Sequence, residues 1–484
     1  MSLRFVFIIL SFIFAINLNA FDPKLEKYIE SVIEKKLADY KAVKEENKRL
    51  KRKIAKLQNR LNYLEDSVEE VETRTLVDKV NFGLGFTTTV NNYDKKYADN
   101  HKLNSKNLYT TKLMLNMDSK IAKNMSFSGR LSMYKYWADS TIHSYSLYDN
   151  MQGRVPSSSA LYVERAYVDW KFADDKSLLP SVLTIGRQPS SDGPSHQFKA
   201  NTSRKATYSA LVFDGASDGI VLTSSLKNVL SLKDAKLRFA YGKGFQNDQT
   251  DKDVTNAFIG ADNSLKDTNV YGLFFESSIF NKSNTLFQIG VTRLEDIIAN
   301  ALDDNSSANK NIGDVTFLGA MFEWTDIENM NIDFFAHFAY ANIEPSNNVY
   351  LYDSKRYSLL GDGTNFDRKS ANAFWIGGRY TFDDKSKVGF EYNQASKYWV
   401  SATQGSFDLI NKLSTRGKAY EAYYIYPINR FSFLKLGGIY VDYDYTDSGW
   451  FLGEPKSFDE LTGSQAQKSV KSIKNVYLQF GLNY

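Results

Sequence analysis

The chain has 484 residues with 60 Lys and Arg against 56 Asp and Glu, and this near balance points to no polyanionic partner. It contains no Cys, which excludes disulfides, thiolate metal sites, a Cys nucleophile and a lipidated amino terminus. Beyond the first residues no apolar run is long enough to span a bilayer as a helix, so a membrane form of this chain has to be a closed β-barrel.

At the amino terminus Arg4 precedes Phe5, Val6, Phe7, Ile8, Ile9 and Leu10, and the apolar stretch continues to Ile16. Leu18-Asn19-Ala20 places a small residue ahead of Phe21, which predicts a secretory signal peptide over residues 1–20. From 22 to 75 the chain has no Gly, a single Pro near its start, and dense Lys, Glu and Leu. One heptad frame fits this segment. Ile33, Tyr40, Asn47, Ile54, Leu61 and Val68 fall at a, and Ile29, Lys36, Val43, Leu50, Leu57, Leu64 and Val71 fall at d. A 3.5-residue repeat sustained over roughly six heptads predicts a coiled coil about 75 Å long. The chain is therefore expected to form a homo-oligomer, with a trimer favoured. Asn47 and Lys36 are polar residues in the seam, of the kind that fix register. The basic run Lys48, Arg49, Lys51, Arg52, Lys53 and Lys56 is a solvated helix face or a contact for peptidoglycan or another envelope polymer. Nucleic acid is not expected behind a signal peptide.

After Thr75 the period changes to 2 and stays there. Outward faces read as Val80, Phe82, Leu84 and Phe86, then Leu113, Leu115 and Met117, and so on to Val476, Leu478 and Phe480. About sixteen such strands are expected between 77 and 484, an even number as in bacterial barrels. Short links such as Asp174–Ser177, Asn281–Asn284, Asp383–Ser386 and Pro427–Arg430 alternate with long polar stretches. The long ones include Asn91–Lys106, Lys135–Ala160, Asn247–Asp267, Ala341–Lys369 and Asp444–Ser472. Alternating loop lengths predict an all-β transmembrane antiparallel barrel in outer-membrane lipid, with short periplasmic turns and long external loops. Both termini, and with them the coiled coil, then belong in the periplasm. Trp170, Phe172, Trp324, Phe382, Tyr426 and Tyr484 stand where an aromatic girdle beside the short turns is expected.

The ending Val476-Tyr477-Leu478-Gln479-Phe480-Gly481-Leu482-Asn483-Tyr484 resembles the assembly signal of bacterial outer-membrane proteins, a final amphipathic strand closing on an aromatic ring. Leu183-Thr184-Ile185-Gly186-Arg187-Gln188 resembles the fifth strand of Gram-negative general porins. The coiled coil, the junction Val71-Glu72-Thr73-Arg74-Thr75-Leu76 and the barrel together resemble an uncharacterised family of porin-like outer-membrane proteins. The porin resemblance implies that the next loop, about 187–217, folds into the lumen and narrows it. Arg187, Asp192, His196, Asp214 and Asp218 are then the constriction-loop candidates. Facing them, the strand phases put Lys112, Arg130, Asp169, Lys171, Arg238, Asp333, Arg379, Glu391 and Glu421 on the lumen wall.

The expected function is a porin that passes ions and small hydrophilic solutes by diffusion. A non-conducting tether, receptor or adhesin held by the coiled coil is the alternative. Enzymatic chemistry is not expected. His196 beside Ser195 and near Asp192 is the sole His in a suggestive setting, and no metal or cofactor motif is present.

Overall fold

The computed structural model divides the chain into two compact units, residues 1–75 and 76–484. It describes residues 23–76, 80–137, 161–188, 193–204, 206–214, 217–230, 232–245, 265–280, 282–299, 309–401 and 408–484. The segment 1–20, expected to be a leader, and the loop residue Asp192 lie outside the described residues.

In the first unit, the helix-favouring run of Lys, Glu, Leu and Ala forms one α-helix, α1 (Pro23–Leu76), of 54 residues. Its apolar seam, including Ile33, Val43, Leu50, Ile54, Leu57, Leu61 and Leu64, is exposed. No described helix is long and apolar enough to cross a membrane, a test that does not bear on strands.

The second unit is built from strands β1 (Asn81–Tyr97), β2 (Lys102–Ala122), β3 (Met125–Tyr136), β4 (Tyr162–Ala173), β5 (Ser181–Arg187), β6 (Asp218–Ser225), β7 (Lys236–Phe245) and β8 (Thr268–Ser277). Then follow β9 (Thr285–Ala299), β10 (Lys310–Trp324), β11 (Ile332–Pro345), β12 (Tyr350–Tyr352), β13 (Lys355–Tyr357), β14 (Lys369–Thr381), β15 (Lys387–Ala395), β16 (Gly417–Pro427), β17 (Ser432–Tyr443) and β18 (Val470–Asn483). Sixteen of these close an antiparallel barrel in chain order, with β1 sealed against β18; β12 and β13 make a separate small hairpin. At the seam, Leu84 and Tyr484 exchange both backbone hydrogen bonds, at 2.7 and 2.8 Å. The terminal aromatic residue is thus part of the closure.

Period-2 alternation sorts the two faces of the wall. On β18, Val476 and Leu478 are 56% and 46% exposed and point outward, while Asn475 and Tyr477 are 3% and 6% exposed and point inward. Outward rings gather near the short-turn end, among them Phe82, Trp170, Phe172, Phe382, Tyr426 and Tyr484. A second outward set, Tyr340, Tyr420 and Tyr440, stands toward the long-loop end. Two belts of rings around an apolar band suit the two interfaces of a bilayer.

One expected loop is absent. The stretch Asn91–Lys106 is the far part of the β1–β2 hairpin, paired down to a turn over 98–101. Its polar residues gave no alternation to read, and strand pairing needs only the backbone once a segment stands clear of the apolar band.

The lumen is unevenly filled. Inward faces of β9 to β11 and β14 carry apolar residues such as Val315, Phe317, Phe335, Ala339 and Trp375, and these pack with residues from the long connections into one buried core. On β1, β2 and β18 the inward residues Thr87, Thr89, Asn116, Asn475 and Gln479 instead line open space, whereas nearer the long loops Tyr93, Tyr97, Leu108, Val470 and Ile473 are buried in smaller apolar clusters.

Candidate functional site

The described part of the connection between β5 and β6 carries a short helix α2 (His196–Ala200), held against the inward faces of the far wall. Phe198 stacks on Phe335 of β11 with ring centroids 5.6 Å apart. Arg379 of β14 donates to the Phe198 carbonyl at 2.9 Å, with its guanidinium 5.2 Å from the Phe198 ring. Gln197 donates to both oxygens of Glu323 at 3.0 and 3.1 Å. Lys199 meets Asp408 at 2.6 Å and Glu421 at 3.3 Å. Two buried ion pairs and a stacked ring fix this segment to β10, β11, β14 and β16.

A second inward connection locks onto the same wall. Lys412 reaches Glu391 at 2.5 Å and also bonds Glu421. Trp399 and Arg416 are fully buried. The Arg416 guanidinium donates to the carbonyls of Trp399, Thr446, Asp447 and Trp450 at 2.7–3.2 Å. A cation solvated by backbone carbonyls stitches the β15–β16 and β17–β18 connections into one cap.

Beside this packed material lies a cavity of about 640 Å³. Hydroxyls and amides of β1, β2 and β18 line one side, and Lys199, Asn201, Arg379, Lys387, Asp408, Glu421 and Lys435 line the other. A recess of about 510 Å³ opens toward the short-turn end, lined by Asp326, Asp333, Lys385 and Arg430. The two spaces share Asn201, Arg379 and Lys387, which stand between them. The wall is kept flat here: the Tyr477 ring lies over Gly437 and the Tyr423 ring over Gly389, where any Cβ would collide with the ring. Glycines thus let large inward rings lie along the wall instead of across the opening.

The candidate residues separate into several groups. Lys112, Arg130, His196, Asp214, Arg379 and Glu421 line the cavity, and Asp333 lines the adjoining recess. Arg130 donates to Asn116 at 2.6 Å and to buried Glu164 at 3.3 Å. Arg379 grips Asp333 through two bonds of 2.9 and 2.7 Å. Glu391 is buried beneath Lys412 and the Trp375 indole, which donates to it at 3.0 Å. Arg238 makes a buried two-bond pair with Glu276, away from the cavity. Asp169 accepts from Thr184 at 2.5 Å. Lys171 stands at the exposed short-turn rim, 2.7 Å from Asp175, whose pKa Lys171 and Lys227 together lower to about 2.

Two candidates have to be removed from the constriction. Arg187 and Asp218 pair with each other at 3.0 Å and continue the outward series Leu183–Ile185 and Ile220–Leu222. They end their strands with outward phase, so they cannot line the lumen. The loop contributes Lys199, and the carboxylates meeting it are Asp408 and Glu421.

Sequence reading missed Lys387 and Lys435, although both carry a readable signal: each alternates with outward Val388 or with Leu434 and Leu436. Lys199, Asp408, Lys412 and Arg416 lie outside the barrel strands or at their edge, where no period assigns a direction.

The Ser-His pairing seen in the sequence is also different in space. Ser195 Oγ donates to Glu323 at 2.5 Å and sits 2.8 Å from His337 Nε2, and Ser209 lies 2.6 Å from His337 Nδ1. Ser195 is 0% and His337 3% exposed. The cluster clamps the loop. His196 instead sets its ring edge against Trp375 at 5.6 Å. Burial, reinforced by Lys199, lowers its pKa to about 4, so it is neutral at pH 7. Among the described residues no group of three or more acidic or His side chains is set to hold a metal.

Residues 101–484 match the family described as "Protein of unknown function (DUF3373)". The chain belongs to that family. No curated protein matches it. Among solved structures it is similar to OprB of Pseudomonas putida at 11% identity, covering 86% of this chain and 96% of that one with a TM-score of 0.50. It is also similar to Salmonella typhi OmpF in complex with daunomycin, at 10% identity over 85% and 99% of the two chains and a TM-score of 0.45. Vibrio cholerae OmpT gives 12% identity, 84% and 100% coverage and a TM-score of 0.39. At such identities the likeness to OprB speaks for the fold, which is that of a porin-like outer-membrane barrel.

Proposed function

We propose that the protein is an outer-membrane channel through which ions and small hydrophilic solutes diffuse passively. The observation that carries this reading is the pair of polar cavities that adjoin at Asn201, Arg379 and Lys387 inside a closed barrel. Apolar outer faces with ring belts suit lipid, and the lined interior suits water. Residues 1–20 serve as the export signal. The exposed seam of α1 then associates with copies of itself in the periplasm, a trimer being favoured, and its basic face meets the cell wall.

One observation favours a second reading. The inward loops bury Trp375, Trp399, Leu211 and Ile312 in a continuous core, as a plug does. A plugged barrel would act as a tether or receptor through its loops or its helix. Planar-bilayer recording of the refolded chain separates the two. Stepwise current supports the channel, and a folded, silent barrel supports the plug.

A further inference from the structure

Six basic side chains line the main cavity, Lys112, Arg130, Lys199, Arg379, Lys387 and Lys435, against three carboxylates, Asp214, Asp408 and Glu421. The excess is not spread evenly. Arg379 is matched by Asp333, Arg130 by Glu164, and Lys199 by Asp408 and Glu421. Glu421 is fully engaged: Oε2 takes Lys412 and Lys199, and Oε1 takes the Tyr477 hydroxyl at 2.8 Å. On the wall, the amines of Lys387 and Lys435 have neutral acceptors. Lys387 donates to Asn201 Oδ1 at 2.5 Å. Lys435 donates to the Lys199 carbonyl at 3.1 Å and stands 5.4 Å from the centre of the Tyr477 ring.

The register sets these two amines in one row across the wall. Lys387 pairs with Ile425, and Ile425 with Lys435. Two strand spacings put their backbones about 10 Å apart. Gln479 continues the row opposite Lys435, and Thr89 opposite Gln479. An ion moving through the main cavity toward the recess therefore passes Lys435 and then Lys387, with the neutral amide of Gln479 and hydroxyl of Thr89 in the same row. Field lines in a narrow lumen with low-dielectric walls concentrate on that passage.

We infer that the channel selects small anions, with Lys387 between the two spaces and Lys435 beside it forming a stepping site for chloride-sized and phosphate-sized ions. This rests on the channel reading and adds the sign of selectivity and the residues that set it. The test is the reversal potential of the full mature chain under a potassium chloride gradient, for wild type, K387E, K435E and K387Q. Wild type should favour chloride. Each Glu variant should lower the chloride-to-potassium permeability ratio by about threefold or more, with K387Q intermediate. Inorganic phosphate should reduce chloride current in wild type and lose that effect in K387E. K171Q, altered at the exposed rim, should leave the potential unchanged. Current steps with a cation preference, or variants that conduct with an unchanged potential, would overturn this inference alone. A silent barrel would overturn the channel reading and the inference with it.

Discussion

The two sides of the lumen differ more from each other than either does from a familiar type of interior. The side formed by β9 to β11, β14 and the inward loops is packed like the core of a soluble domain, with Trp375, Trp399, Val315 and Ala339 at 0% exposure. Away from the long loops, the side formed by β1, β2 and β18 presents Thr, Asn and Gln to an open cavity. The strands are alike in period and pairing, so the barrel alone does not decide what fills it. The inward residues do. Apolar inward faces recruit loops because covering them gains about 25 cal/mol per Å² of area, whereas hydroxyl and amide faces are already satisfied by water.

That contrast predicts where the protein can be broken. Arg416→Ala should have the largest effect, because it empties a fully buried site and strands the buried carbonyls of Trp399 and Thr446 at ~1–3 kcal/mol each, besides losing the half-buried bonds to Asp447 and Trp450. The heat-modifiable band on a gel should shift at much lower temperature, and surviving channels should be noisy and more conductive. Trp399→Ala should cost roughly 3–5 kcal/mol by opening a cavity in the packed side, with a similar but smaller rise in conductance. Lys412→Met should cost about 3 kcal/mol, since Glu391 and Glu421 lose the ammonium that both share. Gln479→Ala, on the open side, should change unfolding by less than about 0.5 kcal/mol. If Gln479→Ala and Trp399→Ala were equally damaging in denaturant unfolding, the division of the lumen would be wrong.

Acidification should give the mildest effect. His196 has its pKa lowered to about 4 in the folded loop, facing Lys199, Lys412, Asp408 and Glu421, and a released loop would restore an ordinary His. The released form therefore binds the proton more tightly. Stability of the packed loop is full above the ordinary His range and falls as pH drops from about 6.5 toward 4. Protease sensitivity of the loop should rise over that window, and His196→Gln should remove most of the dependence.

Much of the barrel was legible in the sequence, because a lipid-facing strand must alternate and Leu478 or Trp170 can then point only outward. The wall residues were legible for the same reason, Arg130 and Glu421 among them. Reading failed where alternation runs past the apolar band. The porin resemblance assigns Arg187 and Asp218 to the inward loop, but both end their strands on the outward phase, where polar residues stand beyond the apolar band. The β1–β2 hairpin extends beyond the expected boundary for the same reason. Lys199, Asp408 and Arg416 acquire their roles from contacts between connections far apart in the chain, such as Lys199 with Asp408, and no local pattern encodes those.

The natural absence of Cys allows a direct test of the lumen's division. Thr89→Cys and Ala339→Cys would be reconstituted separately in planar bilayers and exposed to a charged, thiol-specific methanethiosulfonate reagent during single-channel recording. Thr89 lines the open cavity and Ala339 is buried in the packed side. The structure predicts a stepwise fall in current at Thr89→Cys and no response at Ala339→Cys. Block at Ala339→Cys with none at Thr89→Cys, or no current from either protein, would contradict it.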